Sequence, residues 1–482
     1  MKKLTLALSA VIALTAIWTG GAWYTGKVAE AEFQSQMQRA NTEIAKALSA
    51  NDVRIQVKMD NVRFQRGWFA SEVSYDMVVE LPDEKVSVPF NGALYHGPLP
   101  LNQIKRFDFA PAIFSAELEI ARNDVTKDWF ASEQSPLKNA FTLSYGQRLK
   151  GKTEANLHDA KLGEGEYFTL NLSGRYELDK NGNNSKANIE IKEFTRKGIK
   201  PNATPEDVAE YIIQLKNAEL AVETGERSAG LPNVFDLNYQ FKADEIHLSG
   251  QTQQDEGVPI TVKNAKFDFF AKVKDSVVDY RIDNNADSLH YDEINLGKLI
   301  NHWEFNHLDA KAMNTLISEA QAYPDKTLSP VAETALSTII KHQPQLKIDP
   351  MLLIREQSNL EMKANVALAE IDLTHLSQSN VLGIFSALNW TVDVNKAALK
   401  DLLSAIAQKQ DNLPKNEADK QADALLSDFI MQAKNNNFLT EDETSLKLVL
   451  NLEKDGLHFN GTKLSEKEVQ MLLFALMMNL EQ

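Results

Sequence analysis

The sequence predicts an α+β protein: an N-terminal transmembrane helix followed by a mostly antiparallel, twisted β-sheet region with interspersed helices. Three observations predict it. An uncharged run from Leu4 to Tyr24 stands behind Met1, Lys2 and Lys3. Many later segments alternate apolar and polar residues with a period of two, separated by short turns. Helical periodicity appears in a few blocks without regular strand–helix–strand alternation, which favours antiparallel sheet.

Taken in chain order, the run Leu4–Tyr24 would form a helix of roughly 31 Å, enough to cross a bilayer. Trp18, Trp23 and Tyr24 stand where an interfacial aromatic belt would lie. Gly20-Gly21-Ala22 and Ala29-Glu30-Ala31 could serve a cleaved signal peptide instead. Cleavage after Ala22 would leave Trp23-Tyr24 as an odd start for a soluble protein, so the expectation is an uncleaved anchor. Lys2 and Lys3 favour a cytoplasmic amino end. The expected topology is single pass in the inner membrane, with the bulk of the chain in the periplasm.

Residues 28–50 read as an amphipathic helix, with Phe33, Met37, Ala40, Ile44 and Leu48 on one face. That face either packs on its own domain or pairs with another copy. From Val53 the period becomes two, through Val53, Ile55, Val57 and Met59, then Val73, Tyr75, Met77, Val79 and Leu81. Arg66-Gly67-Trp68-Phe69 connects these strands, and Trp68 and Phe69 are expected to plug the core beneath the turn. Phe168–Leu178 and Ala187–Ile191 form a hairpin about Lys180–Asn184, and Leu446–Leu452 and Leu457–Phe459 form another about Lys454-Asp455-Gly456. Helices are expected at Thr204–Leu220, at Lys298–Ala322 and Leu328–His342, at Lys396–Gln410 and Glu417–Lys434, and at Ser465–Leu480, where Ser465 and Glu468 have capping-box spacing. The expected organisation is a stub and anchor over 1–27, the helix over 28–50, a β-rich region over 51–200, a middle α+β region over 201–345 and a C-terminal α+β region over 346–482.

Composition removes several classes of function. The chain has 482 residues, 43% hydrophobic and 24% charged, within the globular range. Its net charge is −16, the wrong balance for a protein whose main task is to bind nucleic acid. There is no cysteine, which excludes disulfides, thiolate metal sites and thiol nucleophiles.

The run Trp18 to Lys27 resembles the amino-terminal signature of the YdgA-like family of Gram-negative envelope proteins. Arg66-Gly67-Trp68-Phe69, His96-Gly97-Pro98 followed by Leu99-Pro100, and the strand–Asn460-Gly461–helix pattern near the carboxy terminus are similar to it as well. The likeness implies a membrane-associated envelope protein without an established activity, and it carries over no catalytic residues.

Motifs that would carry chemistry are weak. Gly146–Thr153 fits a phosphate loop in spacing, but no helical stripe follows it. Ser135 and Lys138 have the spacing of acyl-serine enzymes without the companion motifs. His302 and His307, placed on a helix, would point about 140° apart, a poor geometry for one metal. His96, Gly97 and Pro98, with Trp68, form the candidate functional loop; His96 is either a hydrogen-bonding or acid–base group, or a turn residue bonded to nearby backbone. No catalytic, cofactor or metal site is assigned, and an enzyme is disfavoured. The expected function is a non-enzymatic, membrane-anchored envelope protein that binds lipid or another hydrophobic ligand along an apolar sheet face. The alternative is a structural or assembly protein that contacts envelope partners or a second copy of itself.

Overall fold

The computed structural model describes residues 26–469 apart from 36, 39, 43–44, 46–55, 81–84, 164, 180–182, 200–207, 229, 253–258, 323–328, 356–357, 371–380, 411–412 and 436–437. No helix among the described residues is long and apolar enough to cross a membrane. That corrects the expected transmembrane helix, and with it the single-pass inner-membrane placement and the contact with that membrane through an N-terminal helix. Leu4–Tyr24, with Trp18, Trp23 and Tyr24, lies outside the described residues. The antiparallel sheet with interspersed helices is present.

The chain divides into two compact units, the first formed mainly by residues up to Arg227 and the second mainly by those from Ser228 onward. In the first unit, α1 is described as helical over residues 26–35. Nine strands follow: β1 Gln56–Gln65, β2 Ala70–Glu80, β3 Lys85–His96, β4 Ala112–Ile120, β5 Leu137–Ser144, β6 Leu149–Gly163, β7 Glu166–Leu178, β8 Lys186–Ile199 and β9 Val208–Thr224. Each pairs antiparallel with the next. Such a meander puts every second connection at the same end. The β1–β2 turn, the β3–β4 connection with its short helix α2 (Leu101–Lys105) and the β5–β6 turn therefore share one end of the sheet.

Alternation gives this sheet two unlike faces. Val86, Val88, Phe90 and Leu94 of β3, and Phe114, Ala116, Leu118 and Ile120 of β4, are buried in one cluster with Ala29 and Phe33 of α1. Phe33 is 1% exposed and its ring lies 6.2 Å from that of Phe64. Burying such a side chain contributes about 1.5–3 kcal/mol, so the helix packs on its own sheet because its stripe is covered there. Trp129 extends the cover over β7, edge-on to Phe168 at 5.6 Å, while its Nε1 donates to the Lys161 carbonyl at 2.8 Å. The apolar face of the early strands is thus filled by the protein's own side chains. That corrects the expectation of a lipid-binding sheet face.

The opposite face is charged. Lys150 and Arg148 approach Glu177 at 3.3 and 2.8 Å, and Lys186 approaches Glu223 at 2.9 Å. Slight burial works against the Glu177 charge, but Lys150 and Arg148 outweigh it and hold the carboxyl below its usual range.

The second unit contains β10 Leu237–Thr252, β11 Ile260–Lys274, β12 Val277–Tyr291, β13 Ile294–Asp309, β14 Gln345–Arg355, β15 Ser358–Leu368, β16 Phe385–Asn395, β17 Thr440–Glu441, β18 Ser445–Glu453, β19 Gly456–Phe459 and β20 Thr462–Lys463, with helices α3 Ala310–Ala322, α4 Pro330–Lys341, α5 Lys396–Gln410 and α6 Lys415–Asn435. β11 to β16 form an antiparallel ladder, and β18 adds to β16. Val234, Ala271, Val278 and Ala310 form one core, and Leu388, Leu450, Leu457 and Val469 another. The last helix is described only over 466–469. It opens with a reciprocal cap: the Ser465 amide donates to Glu468 at 2.7 Å, and the Glu468 amide donates to Ser465 Oγ at 3.4 Å.

One expected helix is a strand, and the expected helix Lys298–Ala322 is a strand up to Asp309 and a helix from Ala310. Residues 208–224 form β9, in which Asn217 adopts φ +46°. Tyr211, Ile213 and Leu215 alternate before it, while Ala218, Leu220 and Val222 alternate one place out of phase after it. The resulting spacing imitates a helix. His307, at φ +61°, has the same effect in β13, which carries His302 and His307 where the sequence suggested a helix.

Candidate functional site

The residues singled out in the sequence gather at the α2 end of the first unit. His96 closes β3 and is 1% exposed. Its amide donates to the Phe69 carbonyl at 3.1 Å, and its Nε2 lies 3.1 Å from Ser71 Oγ. Gly26 lies against the ring so closely that a Cβ there would stand 2.7 Å from Cε1. His96 thus packs Gly26 of α1 onto the sheet. Gly97 follows at φ +121°, a conformation that side chains rarely adopt, and releases the chain through Pro98 towards α2. Trp68, expected to plug the core, is 65% exposed in the β1–β2 turn, where a Cβ on Gly67 would meet the Ala70 carbonyl at 2.2 Å. The structure therefore brings Trp68 and His96 to one end of the sheet, one exposed and the other buried.

The helix α2 lies over the charged face, which explains its buried polar residues. Asn102 Nδ2 donates to Ser115 Oγ at 2.9 Å and to Glu117 Oε1 at 3.2 Å. Gln103 Nε2 donates to Thr142 Oγ1 at 3.3 Å, and Thr142 in turn donates to Ser115 at 3.1 Å. Arg106 is bonded to Glu117. The buried Asn102 Oδ1 and Gln103 Oε1 have no hydrogen-bond partner among the described residues. An open cleft of about 840 Å³ lies alongside, lined among others by Ala93, Arg106, Glu117, Ala140, Lys150 and Lys152.

α2 ends in a Schellman motif. The Phe107 amide donates to the Ile104 carbonyl at 3.0 Å and the Asp108 amide to the Gln103 carbonyl at 3.0 Å. Glycine usually takes the left-handed position of this motif. Here Phe107 takes it, at φ +59°, and is 85% exposed. Phe109 and Tyr145 are exposed at the same end. Nothing in the sequence marked these rings as exposed, because apolar residues beside β4 and β5 read as core; the Lys105-Arg106 pair ahead of Phe107 is the signal that α2 stops there.

The chain matches, over residues 1–467, the model of a family described as bacterial protein of unknown function (DUF945). The chain belongs to this family. It is similar to an uncharacterised protein of Haemophilus influenzae, 29% identical over 66% of this chain and 86% of the relative. It is also similar to protein YdgA of Escherichia coli, 30% identical over 30% of each chain, and to uncharacterised protein YihF of Escherichia coli, 22% identical over 96% of this chain and 97% of that one. No solved structure matches it. The resemblance read from the amino-terminal and His96 motifs is thereby confirmed as family membership.

The remaining candidates resolve as follows. Gly146–Thr153 forms the β5–β6 hairpin, and no helix follows it to present amides to a phosphate. Ser135 Oγ donates to the Ile120 and Leu137 carbonyls, each at 3.0 Å, as a turn-forming hydroxyl. His302 stands between Asp283, at 2.5 Å from Nδ1, and Glu304, at 3.1 Å from Nε2. Partial burial disfavours its charge, but the bonds to Asp283 and Glu304 prevail and raise its pKa. Both ring nitrogens are thereby engaged. Glu453, Asp455 and His458 place ligand atoms within 4.8 Å of one another. Lys463 stands 3.5 Å from Asp455 and opposes a cation there.

Proposed function

We propose that this chain is a non-enzymatic, envelope-associated periplasmic protein that works by contacting a protein partner through the aromatic end of its first unit. Phe107 carries the reading. A left-handed conformation costs an ordinary residue about 1–2 kcal/mol. Folded proteins recover such a cost by burying the side chain, yet this ring is 85% exposed. Glycine would make the same Schellman bonds without that cost, so the exposed phenyl ring is the feature a contact would use. Trp68, Phe109 and Tyr145 at the same end, with Lys105 and Arg106 between them in the chain, have the composition of a contact surface anchored by aromatic residues and arginine.

The partner that fits is a folded protein surface with apolar pockets and an acidic rim. A triple Trp68→Ser, Phe107→Ser, Phe109→Ser variant tests this, because all three side chains are exposed and their loss leaves the core intact. On native electrophoresis of mild envelope extracts the wild-type chain is expected in a larger complex, and the variant, with an unchanged circular dichroism spectrum, at its own mass. Equal migration of the two would remove the proposal. If differently tagged copies of the chain co-migrate in that complex, the partner is a second copy.

A further inference from the structure

We infer that the cleft beside α2 is a binding site for a short zwitterionic peptide with free amino and carboxyl ends. The charged face here is sorted by strand. The carboxylate of Glu117 stands on β4, and the ammonium groups of Lys150 and Lys152 stand on β6. The intervening β5 presents Ala140, aligned with Glu117 on one side and Lys152 on the other, and Thr142, aligned with Lys150. Small Ala93 of β3 is aligned with Glu117 from the far side. The result is a floor of small side chains with negative charge along one wall and positive charge along the other. Further from α2, Glu154 is bonded to Lys152, which with the more distant Lys138 aligned across β5 and β6 holds its carboxyl below the usual range.

Neighbouring strands lie about 4.8 Å apart, so the two walls are separated by roughly 9.6 Å. Three extended residues span about 10 Å from amino to carboxyl end. A tripeptide lying across β5 therefore brings its ammonium to Glu117 while its carboxylate reaches Lys150 and Lys152. Asn102, a buried residue of α2, orients Glu117 through its Nδ2 bond at 3.2 Å. The pairs a ligand would displace, Arg106 with Glu117, Lys152 with Glu154 and Lys150 with Glu177, lie at the surface and contribute little.

Isothermal titration of the full chain with trialanine tests the inference, alongside N-acetyl-trialanine and trialanine amide. Free trialanine is expected to bind, and blocking either end is expected to weaken it at least tenfold. Lys152→Ala, an exposed substitution, should weaken free trialanine and leave trialanine amide unaffected. The triple aromatic-end variant should bind trialanine as the wild type does, which separates this site from the partner contact. Absence of binding by free trialanine, or equal binding of the blocked peptides, would overturn the inference. Loss confined to the amide would show an anion site without an ammonium pocket and overturn it too.

Discussion

At the scale of single residues, Phe107 sets stability against contact. Glycine adopts its φ of +59° without the Cβ penalty, and little burial is lost with an exposed ring. Phe107→Gly is therefore expected to raise unfolding stability by about 1 kcal/mol in urea titration while weakening the partner contact. A fall in stability would show that the ring supports the fold. Gly26 predicts the opposite kind of effect. The Cβ of Gly26→Ala would meet a His96 ring that is enclosed, so a loss of about 1–3 kcal/mol is expected, and His96→Ala should recover part of it. His302 adds a pH dependence. Its pKa is raised in the fold, so its contribution is fully present below the unfolded value near 6.5 and lost as pH rises through the folded value. His302→Gln should cost about 1–2 kcal/mol at pH 5.5 and less at pH 9. A cost that grows with pH would reverse the assignment.

At the scale of elements, Asn41 protects a sheet edge. β1 pairs with β2 on one side, and on the other Asn41 Nδ2 donates to the Met59 carbonyl at 2.9 Å while the Met59 amide donates to Asn41 Oδ1 at 2.7 Å. A side-chain amide thus takes the place of a neighbouring strand. Asn41→Ala should speed exchange of the Met59 amide, by hydrogen exchange, with a loss of about 1–2 kcal/mol. An unchanged Met59 amide would show that the edge needs no such cover. The antiparallel strands were legible in the sequence wherever alternation ran unbroken, as in Val73–Val79 and Phe168–Leu178. They were illegible in β9 and β13, where Asn217 and His307 put the pattern one place out of phase and a strand imitates helical spacing. Of the site, His96-Gly97-Pro98 stood out because a histidine between a strand and a proline turn is unusual. Its partners Ser71 and Gly26 could not be read, since strand pairing and helix docking bring them together from distant positions. Asn102 and Gln103 were missed for the same reason: a short helix reads as surface until it is seen lying on a charged sheet face.

At the scale of the whole molecule, the sheet face covered by α1 and Trp129 holds the core of the first unit, the opposite face carries its ion pairs, and the exposed end of that unit is where the proposed contact lies. The apolar residues of β1 to β7 are largely committed to the core, which leaves the exposed rings of Trp68, Phe107, Phe109 and Tyr145 as the apolar surface in need of a partner there. The most direct measurement places a photoreactive amino acid at Phe107 in the full chain within its native envelope, with the same group at Glu190 on the charged face as control. The account predicts a discrete protein adduct from position 107 that is absent from position 190. No protein adduct from position 107, or the same adducts from both positions, would contradict it.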